Sequence, residues 1–264
     1  MSHKIITTDL GSMSYQIEGN GPAVCLLHGF AEDNQVWHNC IPTLKNNHTI
    51  ITPNLPGIGA STIVSKEAIS IDTMAKSIND ILVAENIERA FIIGHSMGGY
   101  ISLAFAKLYP HKLLGLGLVH STAYADTAEK IGTRKKSIEF IQTHGASAFI
   151  KTTIPNLFYD IEVSKNAIIQ QTFIGDAIEA NTLVTHYLAM IDRKATVEVL
   201  QQCKVPVLFV IGKHDKTIPF LDSLQQSHLP NTSFVHILNS SAHMGMLEQP
   251  ALFNEILAKF LQDA

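Results

Sequence analysis

The sequence predicts an α/β fold: a doubly wound, mostly parallel sheet of about eight strands with an antiparallel N-terminal edge, and a helical cap inserted before the strand at 205–211. Three observations carry this expectation. Apolar runs at Ala23 to Leu27, Thr49 to Thr52, Ala90 to Ile93, Leu113 to Val119 and Val205 to Ile211 do not alternate with polar residues, the pattern of strands buried on both faces. Segments with helical spacing separate most of them, and strand alternating with helix builds a parallel sheet through right-handed crossovers. One connection, residues 121 to 204, is far too long to be a plain crossover.

The first element is a hairpin: Ile5 to Thr8 and Ser14 to Ile17 flank a Gly-Ser turn signal and belong at a sheet edge. Ile71, Met74, Ala75, Ile78, Ile81 and Leu82 recur at three and four residues, opened by Ser70 and Asp72 as capping residues. A second helix over Met97 to Leu108 stops ahead of Tyr109-Pro110. Pro219 to Leu229 and Pro250 to Leu261 read as helices around a last strand, Ser233 to Leu238. Inside the long connection Ile138, Ile141, Phe149, Ile150, Leu183 and Tyr187 favour helical spacing, and Pro155 interrupts the series. The expected organisation is therefore a core from residues 1–121 and 196–264, with a helical cap at 122–195. Such a cap belongs over the C-terminal edge of the sheet, where open α/β folds hold their ligands.

Length and composition bound the function. A chain of 264 residues suits one core with an insertion. Charged residues make up 16%, below the usual share of about 25%, which argues against a disordered chain. The formal net charge of −4 and pI near 6.3 leave no electrostatic footprint for nucleic acid. The short basic run Arg134-Lys135-Lys136 reads as a solvated helix face. The N-terminus lacks the apolar stretch of about 7–15 residues expected of a signal segment, and no apolar run is long enough for a membrane span. The three cysteines, Cys25, Cys40 and Cys203, are scattered and odd in number, which fits a reducing, cytoplasmic setting. With no H-E-x-x-H, no paired C-x-x-C and no G-x-G-x-x-G, neither a metal nor a cofactor is expected. Nothing in the sequence indicates an oligomeric state.

The chemistry concentrates in Gly94-His95-Ser96-Met97-Gly98, placed between a buried strand and a helix. There a serine is forced into a tight turn, its hydroxyl stands at the top of the sheet, and small residues two before and two after let backbone approach. The alternative is a Gly-rich turn with a capping serine. A nucleophilic serine needs a base and an orienting acid, both downstream in this chain order. Asp215 follows the strand at 205–211, and His243 follows the strand at 233–238, so both arrive at the same sheet edge as Ser96. Asp126 is the reserve acid, and His214, His228 and His236 are the rival histidines. The oxyanion donors expected are the backbone N–H groups of Met97 and Phe30, with Gly29 opening the backbone between His28 and Phe30. His28 and His95 read as hydrogen-bonded structure.

These segments resemble the α/β-hydrolase superfamily: Leu-Leu-His-Gly-Phe (26–30), Asn-Leu-Pro-Gly-Ile-Gly-Ala-Ser (54–61), Gly-His-Ser-Met-Gly-Gly (94–99), Gly-Lys-His-Asp (212–215) and Ser-Ala-His-Met (241–244). The resemblance covers nearly the whole chain except the cap and is closest to small carboxylesterases and C–C bond hydrolases. It implies a cofactor-free serine hydrolase with Ser96, Asp215 and His243 as triad. Asn54 stands where the family often has Asp, and Ile58 where it often has a ring; both bear on substrate preference. Serine at 96 speaks against the relatives that attack with a carboxylate. The expected substrate is a small or medium carboxylic ester cleaved through an acyl-enzyme. Alternatives are a C–C bond, thioester or lactone substrate on the same triad, or a ligand receptor with slow turnover. Phe30, Trp37, Phe158 and Tyr187 are the expected pocket residues, with Tyr159, Phe173 and Met190 as further wall candidates.

Overall fold

A computed structural model describes residues 2–264; Met1, at the start of the expected core segment, lies outside the described residues. The hairpin pairs β1 (Ser2–Thr8) with β2 (Gly11–Gly19). Its turn needs Gly11, whose φ of +130° is glycine territory and whose Cβ would fall 2.6 Å from the Thr62 carbonyl oxygen. β2 then runs antiparallel to β4 (Thr49–Pro53). From β4 onward every pairing is parallel, through β3 (Ala23–Leu27), β5 (Ala90–His95), β6 (Leu113–Val119), β7 (Val207–Gly212) and β8 (Ser233–Leu238).

Among the described residues the eight strands form one sheet in the order β1-β2-β4-β3-β5-β6-β7-β8. The chain leaves β3 in one direction to make β4 and crosses back to make β5. Loops leaving β3 and β5 therefore diverge and open a crevice at their C-terminal ends, the position at which doubly wound sheets bind ligands. Every residue of β3, β5 and β7 is buried, while β8, at the edge, mixes buried and exposed positions. β7 starts at Val207, two residues later than the apolar run suggested. Pro206 has no N–H to give a ladder, although its carbonyl still accepts from Leu116 N–H at 3.0 Å.

The helices before the long connection are α1 (Ile41–Leu44), α2 (Ile71–Ala84) and α3 (Met97–Leu108). Ser70 and Thr73 cap α2 reciprocally, which satisfies two N-terminal N–H groups, and its stripe of Met74, Ala75, Ile78, Ile81 and Leu82 faces the core. α3 is buried along almost its whole length. Between β6 and β7 lie α4 (Ala128–His144), α5 (Ala146–Thr153), α6 (Lys165–Asp176), α7 (Ala180–Asp192) and α8 (Val197–Gln202). The chain closes with α9 (Phe220–Gln226), shorter than its sequence pattern suggested, α10 (Gly245–Glu248) and α11 (Pro250–Asp263). Among the described residues no helix is long and apolar enough to cross a membrane. Cys25, Cys40 and Cys203 are buried free thiols.

Candidate active site

Ser96 occupies the single residue between β5 and α3, with φ +48° and ψ −113°. A side chain in that region of backbone space costs about 1–3 kcal/mol and persists only where neighbours hold it. Its N–H donates to Val119 O at 2.9 Å, and its carbonyl accepts from Ser121 Oγ at 2.8 Å and Gly99 N–H at 3.0 Å. The flanking glycines are required by space: a Cβ at Gly94 would sit 2.1 Å from the Gly98 backbone, and one at Gly98 would sit 2.3 Å from Leu27 O. The turn is thereby pressed against the end of β3.

Asp215 leaves β7 in a turn that it closes itself. Its Oδ1 accepts from Thr217 N–H at 2.8 Å and Ile218 N–H at 2.9 Å, which fixes the carboxylate plane. Its Oδ2 then faces His243 Nδ1 at 2.7 Å. Burial raises the Asp215 carboxyl, but His243, His120 and the bonds they make outweigh it and hold the group well below the usual carboxylate range. His243 is buried, and the long connection between β6 and β7 reaches it: its N–H donates to Leu157 O at 2.9 Å.

Two further histidines support this arrangement. His95 Nδ1 meets the Glu32 carboxylate at 2.9 Å, and its Nε2 lies 2.8 Å from His243 O. Both ring nitrogens thus face acceptors, which favours the doubly protonated ring. Burial alone would lower the pKa of His95; the Glu32 charge and bond reverse this and raise it, while Glu32 is lowered in turn by His95 against its own burial. Glu32 Oε2 also accepts from Gly29 N–H at 2.7 Å. One buried ion pair therefore ties the loop carrying Phe30, the turn carrying Ser96 and the loop carrying His243. His120, held at φ +48° at the end of β6, accepts from Gly245 N–H on Nε2 at 3.1 Å. Its remaining proton must sit on Nδ1, which faces Asp215 Oδ2 at 3.5 Å. Burial pushes the His120 pKa down to about 4, so the ring is neutral at pH 7.

His120, Asp215 and His243 also present ligand atoms within 4.8 Å of one another. With the Nδ1 atoms of both rings directed at Asp215, ligation of a cation there would first require those atoms to give up any proton they carry.

Ser96 and His243 open onto one cavity of about 630 Å³. Phe30 and Tyr187 form its aromatic wall with ring centroids 4.2 Å apart, and Phe149 packs edge-on to both. Met97 begins α3, so its N–H has no acceptor within the helix, and Phe30, on the loop after β3, lines the cavity. Trp37 is corrected from pocket wall to core: it is fully buried and packs on Phe253 at 6.1 Å, away from the lining. Phe158 is likewise corrected, buried beside the cavity while Leu157 lines it. Tyr159 stacks on His214 at 3.9 Å on the surface, and Phe173 is 77% exposed, whereas Met190 does line the cavity. His28 is structural, accepting from Leu55 N–H on Nε2 at 3.0 Å and donating from Nδ1 to Gly29 O at 2.8 Å.

Asp126 does not pair with His243. It receives Arg134 Nε at 2.6 Å on Oδ2 and lies 2.9 Å from Arg193 Nη1 through Oδ1. Burial raises the Asp126 carboxyl, but the two guanidinium groups lower it by more.

A family model described as alpha/beta hydrolase fold matches residues 22–146, the stretch that carries β3, β5 and the Ser96 turn. The chain has the α/β-hydrolase fold. It is similar in structure to a thermophilic esterase from Thermogutta terrifontis (malate bound), at 23% identity and TM-score 0.91 over 99% of this chain and 98% of that one. It is similar also to the enol-lactonase from Burkholderia xenovorans LB400, at 18% identity and TM-score 0.91 over 98% and 100%. In sequence it is 25% identical to 3-oxoadipate enol-lactonase 1 of Acinetobacter baylyi, with 98% of this chain and 97% of that protein covered.

Glu32, His120, Arg134 and Arg193 were not picked out from the sequence as functional groups, and Asp126 only as a reserve acid for the triad, not as the partner of two arginines. The only signals were a carboxylate right after the Gly29-Phe30 loop and a histidine closing an apolar strand, each of them common on a surface.

Proposed function

We propose that the protein is a serine hydrolase that cleaves a small or medium carboxylic ester through an acyl-enzyme. The observation that carries this reading is the buried 2.7 Å bond from His243 to Asp215, made beside the same cavity onto which the strained Ser96 opens. With Nδ1–H committed to Asp215, the Nε2 lone pair of His243 is the free base. Ser96 Oγ attacks the ester carbonyl as His243 Nε2 takes its proton. Asp215 stabilises the imidazolium, and the N–H groups of Met97 and Phe30 receive the oxyanion. Collapse breaks the acyl C–O bond, and His243 returns the proton to the departing alcohol. Water then repeats the sequence on the acyl-enzyme and restores Ser96.

The Phe30, Tyr187 and Phe149 rings supply the apolar wall for the acyl chain, and the cavity volume favours a small molecule over a polymer. A lactone is a second reading, favoured by the two enol-lactonases among the similar proteins; ring opening uses the same steps, with the leaving oxygen still attached. Hydrolysis of 4-nitrophenyl acetate tests the assignment. Ser96→Ala is expected to abolish it, and retention of full activity would exclude Ser96 as nucleophile.

A further inference from the structure

Arg134 presents an unspent guanidinium edge to the cavity of Ser96. A guanidinium has five N–H donors, and in the contacts of this side chain only Nε is used, on Asp126 Oδ2 at 2.6 Å. The side chain is 12% exposed, lines the cavity, and has its Cζ 5.6 Å from the Tyr187 ring centre, one ring away from Phe30. The pair of Nη groups is the edge that matches a carboxylate in bidentate fashion.

The charge balance points the same way. Asp126, its carboxylate closed to solvent, faces two arginines. Arg193 is spent within the protein: it donates from Nη1 to Met190 O at 3.0 Å and from Nη2 to Tyr124 O at 2.9 Å, and its guanidinium lies 3.8 Å over the Tyr100 ring. Two cations against one anion leave one positive charge at the wall; both arginines line the cavity, and Arg134 is the one whose Nη groups make no hydrogen bond within the protein. Glu32, also on the lining, is matched by His95. The rest of the lining is even in charge number, with Lys130 and Lys216 against Glu129 and Asp222. A guanidinium edge with free donors on a cavity wall is suited to a planar counter-charge that accepts from both Nη groups.

We propose that the acyl group of the substrate carries a second, terminal carboxylate, which the Nη edge of Arg134 receives while the ester carbonyl lies at Ser96. This rests on the ester hydrolysis proposed above and narrows it to anionic esters or lactones. The apolar Phe30–Tyr187 wall then holds the methylenes between the two ends.

The test compares mono-4-nitrophenyl esters of dicarboxylic acids, from succinate to suberate, with 4-nitrophenyl esters of monocarboxylic acids of equal chain length. The wild-type enzyme should show the higher kcat/KM on the anionic member at one or more lengths. Arg134→Met should lower that anionic-to-neutral ratio roughly ten- to hundredfold, the usual worth of a charge-assisted contact. Asp126 keeps Arg193 as partner in this variant, and unchanged circular dichroism checks the fold. A wild-type ratio below one at every length, or an unchanged ratio in Arg134→Met, overturns the proposal, and the first result needs no variant at all. A separate arm needs no turnover: the free dicarboxylates should raise the melting temperature of Ser96→Ala protein, and should fail to do so once Arg134→Met is added. If no ester is hydrolysed but this shift is seen, the hydrolase reading falls and the carboxylate site stands; if esters are hydrolysed without the shift or the ratio, the reverse holds.

Discussion

Replacing Asp215 with Asn removes one charge and alters no volume, yet it should cost about 10⁴ in kcat, about 5 kcal/mol of barrier. The structure dictates how. Oδ1 is claimed by the N–H groups of Thr217 and Ile218 at 2.8 and 2.9 Å, so an asparagine must keep its oxygen there. Its amide nitrogen then points at His243 Nδ1, at the position now 2.7 Å from it, and two donors cannot face each other. His243 must move its proton to Nε2, and the lone pair that would deprotonate Ser96 is lost. The reversed amide would set its NH₂ against two backbone N–H groups, and would surrender both bonds. Burst kinetics with 4-nitrophenyl acetate, read as the rate of the first turnover at pH 7.5, measure the effect on acylation. Unfolding in urea separates it from a loss of fold. A folded Asp215→Asn protein that acylates within tenfold of the wild type would refute the tautomer argument, and equal damage from Asp126→Asn would undermine the choice of acid.

The other expectations concern stability. Gly98→Ala should overpack the contact of the Ser96 turn with β3, since the new Cβ lies 2.3 Å from Leu27 O and 2.7 Å from His28 O. A loss of about 1–3 kcal/mol would lower Tm by several degrees, and an unchanged Tm would show that the turn can relax. The Glu32–His95 pair gives stability a pH dependence of defined sign. Glu32 is lowered below its ordinary 4.5, so its contribution is fully present above that pH and is lost as pH falls through the folded value. His95 is raised above 6.5, so its contribution is fully present below 6.5 and is lost as pH rises through the folded value. The pair therefore supports the fold most between pH 4.5 and 6.5. Urea unfolding of Glu32→Gln across pH 4–9 should show a smaller alkaline decline than the wild type; parallel curves would show that the pair is not ionised.

The parallel core was legible because burial on both faces erases alternation, and β3 and β5 coincide with their apolar runs almost residue for residue. β7 was displaced by a single missing N–H, that of Pro206. Ser96, Asp215 and His243 could be picked out because each follows a strand in a short loop with turn residues around it. The supporting pairs could not. Glu32 and His95 are 63 residues apart in sequence and His120 and Gly245 are 125 apart, and no periodicity links them. Arg134 was read with Lys135 and Lys136 as one solvated run, but consecutive helical residues are turned by about 100°. On α4 Arg134 faces the cavity and the two lysines face solvent. Trp37 and Phe158 failed for a simpler reason: an apolar ring near a loop satisfies a core and a pocket wall equally well until its neighbours are known.

The most direct measurement is covalent labelling. A fluorophosphonate reacts with an activated serine, so intact-mass analysis of the labelled protein should show one adduct, and peptide mapping should place it on Ser96. The label should be absent from Ser96→Ala and formed far more slowly in His243→Ala. No adduct on the folded protein, or an adduct that persists in Ser96→Ala, would contradict the proposal that Ser96 is a nucleophile activated by His243.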